Sequence, residues 1–544
     1  MRTAVTGRSR RIRRALVAAS VTTVALTAAA CGGGGSDTGS SSTGSTFVMA
    51  TQALPDNLDI KDFSGGTRPL MSLMDSQLVN YDVSSCDEAP SADKLVGQLA
   101  DSWSYSADRT SIDFKLKDLK SNFGNPLTSE DVKWSLERGR ELSPIVGFLS
   151  TGSAHWAETD PITVVSDTEF TLNLDAPTPV DLAMWTIPTF TIFDSVEAQK
   201  HATSDDPWAN AWLAENSAGF GPWKVDSVDT GNQITLSKNP GWTGDTGSYD
   251  KVVLKQITSS SDQAQLLADG SVNYARNLTW SQYDDLKTND DVEVYSCSPV
   301  SRDWLVLNFK KPELADVKVR TAISEAINRD ELVKGAYAGQ GTPALTGLLE
   351  GETPAGAQVE QTTYDVEHAK TLMAEAGFAD GFDLTLNYNP VQPGSQVDQL
   401  AILLQSQLKE IGINLTLNKL ASGNDLQTAH SEGTYEAELW SSSSAMPSTY
   451  FDVGLLQPGS PNTTWGYDSE EFVDLVNQLS ATEPGSPEAD DITTQLANLN
   501  ISDMPVVQLV STPNIFAMTA GLKGIEDSLG TVMIQPQPAG LSAS

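Results

Sequence analysis

The segment from Tyr364 to Leu420 constrains the fold more than any other, because its hydrophobic periodicity alternates helix, strand, helix, strand. In "YDVEHAKTLMAEAG", Ala369, Leu372, Met373 and Ala376 share one helical face, Asp365 stands at the N-cap position and Gly377 supplies the stop. "FDLTLNYN" then alternates on Phe382, Leu384 and Leu386. The next stretch, "SQVDQLAILLQSQLKEIG", has a capping-box pattern in Ser395 and Asp398 and a terminator in Gly412, and "INLTLNKL" alternates again. Such a β-α-β unit closes as a right-handed crossover in a parallel sheet.

The same alternation recurs along the chain without a fixed repeat, which predicts α/β domains and excludes a solenoid. "SIDFKLKDL" (Ser111 to Leu119) reads as a strand, and "PLTSEDVKWSLERGREL" as a helix capped at Thr128 with Asp131 at N3. "VKVRTAISEAINRDELVKGAYAGQG" gives two short helices broken at Asn328, the second ending at Gly339. At 544 residues the chain calls for at least two domains. After residue 30 no apolar run is long enough to cross a bilayer.

The first 30 residues hold six basic and no acidic residues, leaving 28 basic against 71 acidic residues in the remainder. So acidic a body is repelled by phosphate backbones and anionic membrane surfaces, which argues against nucleic-acid binding. "MRTAVTGRSRRIRR" followed by "ALVAASVTTVALTAAA" is an export signal, basic and then apolar, ending before Cys31. "LTAAAC" resembles a bacterial lipobox, with Ala28 where Leu or Val is usual; type I cleavage after Ala30 is the alternative. The Gly/Ser-rich stretch from Cys31 to Thr46, a flexible tether, favours lipidation at Cys31 and anchoring to the outer face of the cell membrane. "RRALV" leaves the choice between general and twin-arginine export open. Cys86 and Cys297 remain, either as a disulfide suited to an oxidising compartment or as two separate buried thiols.

The chain has no G-x-S-x-G, H-E-x-x-H or G-x-x-x-x-G-K-[ST] pattern, and none of its four histidines (His155, His201, His368, His430) stands at ligand spacing. Neither a metal site, a cofactor nor catalysis is therefore expected, and a secreted α/β hydrolase is the competing class without a nucleophile to support it. His368 reads as a surface residue in the first turn of its helix. The feature that remains is 12 tryptophans, of which Trp185, Trp223, Trp280, Trp304, Trp440 and Trp465 fall at segment ends. Burial in the core is the default for each, and a group of them would also suit a ligand cleft between α/β lobes.

Several phrases, in order, resemble the extracellular solute-binding proteins of family 5, the peptide/nickel group that serves ABC importers. They are "LVGQLADSWSYSADRTSIDFKLKDL", "NPLTSEDVKWSLER", "GFGPWKV", "LLADGSVNYA", "WLVLNFKKPELADVKVRTAISEAINRDELVKGAYAGQGTPA", "YDVEHAKTLMAEAGF", "LKEIGINLTL", "YDSEEFVDLVNQL" and "MPVVQL". The resemblance implies a two-lobed periplasmic-binding-protein-like fold of type II, with an extra subdomain inserted in the first lobe. After the signal peptide at 1–30 and the tether at 31–46, it places lobe I at 47–300 plus 509–544 with the subdomain at about 80–215, and lobe II at 301–508. The strands joining the lobes are expected near Cys297 to Asp303 and Met504 to Val510. Hinge closure on a solute and delivery to an ABC permease follow. The expected state is a monomer.

Many peptide-binding members carry W-x-x-D-x-x-D-P, whose first aspartate pairs with the peptide's α-ammonium. Here "WSSSSAMP" puts Ser443 and Met446 at the two aspartate positions, and the usual G-T-G-P turn reads "GFGP" with Phe220. A serine hydroxyl offers a neutral hydrogen bond in place of a charge-assisted one. The expected solute is an oligopeptide or peptide-like compound, and an oligosaccharide or other neutral polar solute is the alternative. Trp440, Ser443, Tyr450 and Trp465 are expected at the cleft, with Arg276, Asn277, Arg302 and Trp304 near the crossing. Arg276 or Arg302 would meet a ligand carboxylate. A signalling or adhesion lipoprotein keeping the fold without transport is a third class.

Overall fold

The computed structural model describes residues 45–59, 68–74, 77–82, 94–348, 352–390, 394–443, 446, 448–460, 463–522 and 542. The signal segment, the tether, Cys31 and Cys86 lie outside them.

Two strands organise the chain. Val292–Leu307 and Val507–Thr519 pair antiparallel from Val292↔Thr519 to Leu305↔Val507. At about 3.3 Å per residue the longer reaches roughly 50 Å, enough to run through two layers of packing. The pairing shifts register between Cys297 and Pro299, Pro299 and Ser301, and Asp303 and Trp304. Each shift bends the ribbon and increases its twist where the connection between lobes is expected.

On one side of the pair stand Ala437–Ser443, Phe382–Tyr388 and Ile413–Lys419; on the other stand Tyr274–Ala275, Thr46–Thr51, Lys251–Gln256, Gln233–Lys238 and Trp223–Asp229. Phe382–Tyr388 and Ile413–Lys419 are parallel over seven residue pairs, joined through the helix Val397–Leu408. The β-α-β unit expected from periodicity is therefore present.

One face of this sheet is covered by helices. Leu305, Leu307, Val507, Leu509, Leu384, Leu386 and Leu439 pack there with Val319, Ile323, Leu332, Met373, Leu400 and Leu404 from the helices Val317–Glu325, Arg329–Ala336, Val366–Glu375 and Val397–Leu408. Alternation sends the intervening residues, Trp304 and Val306 among them, to the opposite face and a different core. That second core is shared with residues 95–190, which form their own four-stranded sheet, ordered Ala100–Tyr105, Ser111–Leu116, Glu169–Asn173, Ile162–Ser166.

Local signals decide most helix ends. Asp365 accepts from the His368 amide at 2.9 Å, and Asn328 from that of Glu331 at 3.1 Å. Gly377, Gly339 and Gly412 sit at φ +85°, +78° and +85°, as a terminating glycine requires. At Gly412 a side chain is doubly excluded, since a Cβ would stand 3.0 Å from the Gly381 Cα. Asp131, fully buried, accepts from the Thr128 amide and hydroxyl and from Ser195 Oγ; burial raises its pKa, against the pull of these bonds.

The capping box expected at Ser395 and Asp398 does not form. The helix starts at Val397 with no side-chain cap; Ser395 donates to the Leu278 carbonyl at 3.4 Å and Asp398 pairs with Lys419 at 2.7 Å. Tertiary partners outcompeted the local ones. His368 is exposed as expected, with Nδ1 2.7 Å from Glu325. Among the described residues no helix is long and apolar enough to cross a membrane.

Candidate functional site

Where the Trp304 face of the long strand pair meets the 95–190 region and the helices Glu470–Ala481 and Pro487–Asp503, four side chains converge from three adjacent strands. Trp304 lies opposite Trp440 on one neighbour and Gln508 on the other, and its Nε1 donates to Gln508 Oε1 at 2.7 Å. Two residues back on the same strand, Arg302 places its guanidinium carbon 5.7 Å from the centre of the Trp304 ring. It donates to the Gly347 carbonyl at 2.7 Å and stands 3.6 Å from Asp452. Both ions are enclosed, their side chains 2% and 1% exposed. Gly347 is required for this arrangement, since a Cβ there would come within 2.5 Å of Asn500 Cβ.

The wall holds polar capacity the protein does not use. Gln508 Nε2 and both amide atoms of Asn500 are buried without a hydrogen-bond partner among the described residues. Buried polar groups are ordinarily paired, so such atoms mark a place where a polar molecule could be bound.

Behind Trp304, on the opposite face of the sheet, lies Asp303, buried among the residues of the other core. Its Oδ2 accepts from Tyr337 Oη at 2.6 Å and Gln396 Nε2 at 3.2 Å, and it also bonds Ser441. Burial pushes its pKa up to about 6, against the pull of these three hydrogen bonds.

Beside Trp440, His430 stacks on the indole at 4.0 Å and 14°, with Nδ1 on Glu438 Oε1. Burial raises the Glu438 pKa, opposed by the His430 contact. Across the interface, Tyr450 Oη donates to the Ser153 carbonyl at 3.0 Å, joining the helix Thr449–Gly454 to the 95–190 region. That region presents Trp156 stacked on Trp185 at 4.4 Å in the same core. Ser153 ends a π-helix, Phe148–Ser153, a form that recurs at functional sites.

The residues expected from sequence divide into two groups. Trp304, Tyr450 and Trp465 share one core with Trp440 packed against it, and Arg302 lies over Trp304. Ser443 ends the strand Ala437–Ser443 with its backbone opposite Ser301, so the first three serines of the run are strand, not spacer. Ser444 and Ala445 lie outside the described residues. Met446, at the second aspartate position, is wholly buried in the core. Arg276 stands beside the crossing strands, donating at 3.4 Å to Asn514, the strand partner of Cys297, and Asn277 Oδ1 accepts from the Gln52 amide at 3.4 Å. Cys297 is disulfide-bonded; its expected partner Cys86 lies outside the described residues.

Burial sorts the six tryptophans at segment ends. Trp185, Trp223, Trp280, Trp304 and Trp465 are 1–9% exposed, and Trp440 alone among the six is half-buried. Sequence reasoning missed Asp452, Gln508, Asn500 and the His430–Glu438 pair. Gln508 carried a signal, as the single polar residue in the apolar run "PVVQLV".

Comparison with known proteins bears on this site. Residues 94–463 match the Bacterial extracellular solute-binding proteins, family 5 Middle. The probable D,D-dipeptide-binding periplasmic protein DdpA of Escherichia coli (strain K12) is 27% identical over 437 residues, covering 79% of this chain and 81% of that protein. The chain's fold is that of the Helicobacter pylori ABC transporter-associated periplasmic binding protein DppA in complex with peptide STSA. The TM-score is 0.80 at 20% identity, over 91% of this chain and 97% of that one. The PBP AgaA from A. tumefaciens R10 in complex with agropinic acid matches with a TM-score of 0.78 at 22% identity, over 92% and 99% of the two chains.

Proposed function

The chain belongs to the bacterial extracellular solute-binding proteins of family 5, and from that premise we propose that it captures a peptide-like or other polar solute between two lobes and delivers it to an ABC permease. Membership in this family sets it among binding proteins and not enzymes.

The observation that carries the reading is the wall of Trp304, Trp440, Gln508 and Asn500, with unused polar atoms, set against the aromatic 95–190 region. We assign lobe I to residues 47–300 plus 509–544, with the inserted subdomain at about 80–215, and lobe II to 301–508. Three register shifts around 297–304 support a hinge there. The Tyr450 to Ser153 bond then joins lobe II to the subdomain and supports a closed arrangement.

The relatives named above for dipeptide and peptide binding favour a peptide-like solute. Against an ordinary free-amine peptide stands the loss of both aspartates of the usual pattern to Ser443 and the buried Met446. Native mass spectrometry of the purified 47–544 body is expected to find a co-purifying small molecule, lost in Trp440→Ala while far-UV circular dichroism is unchanged. A body that carries no solute and takes none from a cell extract would overturn the reading.

The protein is anchored through lipid at Cys31, beyond a flexible tether. Cys31→Ser is expected to move it from the membrane fraction to the soluble fraction. Unchanged membrane retention would remove the anchor.

A further inference from the structure

Trp440 is the half-buried member of the tryptophan set, and one face of its ring is already covered. His430 lies parallel to it at 4.0 Å and 14°; Tyr435 is parallel to His430 at 6.0 Å and 5°, and Trp465 is tilted at 6.2 Å. The imidazole is thus enclosed by three aromatic rings. Its Nδ1 is bonded to Glu438, which is fully buried and stands two residues before Trp440 on the same strand face. His430 comes from the last turn of a separate helix, Gly423–Glu432, fixed at its start by the Ser422 and Asp425 capping box. The strand that carries Trp440 therefore also holds the group that fixes the ring from behind.

We propose that His430 and Glu438 are positioning residues that lock the Trp440 ring as a stacking platform, and that the solute presents a flat or C–H-rich ring to it. The inference rests on the solute-binding reading and deepens it. With one face of Trp440 under His430, its remaining exposure belongs to the opposite face and the rim. A platform locked before binding loses no rotamer freedom when a solute arrives, which is how preorganisation gains affinity. An indole face offers no formal charge, so it selects ring faces through contact area, whether the ring belongs to an aromatic side chain or to a sugar.

The first arm uses solute-free protein. The Trp440 signal is the difference between wild type and Trp440→Phe in near-UV circular dichroism and in acrylamide quenching. His430→Leu and Glu438→Leu are expected to lose at least half of the Trp440 dichroism and to raise its quenching about twofold. His430→Phe, which restores a stacked ring without the hydrogen bond, is expected to recover most of the dichroism. Should His430→Leu not fold, Glu438→Leu and His430→Phe carry the comparison. An unchanged Trp440 signal in Glu438→Leu and His430→Leu overturns the positioning role.

The second arm titrates wild type with N-acetyl-Ala-Phe, maltose and N-acetyl-Ala-Leu, which carry no free amine. At least one ring-bearing probe is expected to bind about tenfold more tightly than N-acetyl-Ala-Leu, with that preference reduced in His430→Leu. Equal binding of all three, or none, overturns the ring class and names no fault in the positioning role. Failure of the solute-binding reading itself is read separately, from the absence of any co-purifying molecule.

Discussion

Arg302→Met is expected to destabilise the protein by about 3–5 kcal/mol, the largest effect of any single side chain at the site. Arg302 and Asp452 are each almost wholly out of water and 3.6 Å apart, so their attraction is on the order of 4 kcal/mol even at an effective dielectric near 20. Removing the cation leaves a carboxylate enclosed beneath it, and also frees the Gly347 carbonyl that Arg302 holds at 2.7 Å. Most of the cost is the desolvated carboxylate that has lost this cation, not the net strength of the pair. The double variant Arg302→Met with Asp452→Leu should therefore recover much of the loss, because replacing a buried pair by packed apolar groups is often neutral. Urea denaturation of the single and double variants separates the two terms. A single variant within about 1 kcal/mol of wild type would mean that water reaches Asp452.

The position of this pair explains why it escaped a reading of the sequence. Arg302 and Asp452 lie on a strand and a distant helix, and nothing local joins them. The family pattern has its acids at the positions of Ser443 and Met446, whereas this chain places a buried acid six residues beyond Met446. Similarly, His430 and Glu438 are eight residues apart on a helix and a strand, and only the turn between them makes them neighbours.

What could be foreseen was governed by short-range physics. The β-α-β unit followed from periodicity, and the helix ends at Asp365, Asn328, Gly377 and Gly412 followed from capping and from left-handed backbone. Trp304 facing Trp440 depends on strand register, which requires tertiary pairing to fix. The Ser395 and Asp398 box shows the limit from the other side, as both residues found stronger partners at Leu278 and Lys419. Segment-end tryptophans behaved as core residues in five of six cases, since a ring of that size lowers the free energy more by burial than by waiting for a ligand.

Asp303 gives the second large effect, and its direction is opposite to that of most acids in folded proteins. Its folded pKa is about 6 against an ordinary value of 3.8, because the carboxylate is fully buried. Below pH 4 both folded and unfolded chains hold the proton, and between about 4 and 6 only the folded chain does. Stability from this residue is therefore complete in acid and is lost as pH rises through 6, by roughly 3 kcal/mol for a pKa raised from 3.8 to about 6. Asp303→Asn mimics the protonated form: its oxygen can still accept from Tyr337 and Gln396, while its amide nitrogen can donate to Ser441. The variant is expected to match wild type near pH 4 and to exceed it by about 2–3 kcal/mol at pH 7.5, measured by urea denaturation across that range. Glu438, whose pKa burial also raises, is present in both proteins and cancels from the difference. A gap that stays constant with pH would mean that Asp303 does not titrate in this window. Among the described residues no cation faces Asp303, so its three hydrogen bonds alone oppose the desolvation of the carboxylate above pH 6.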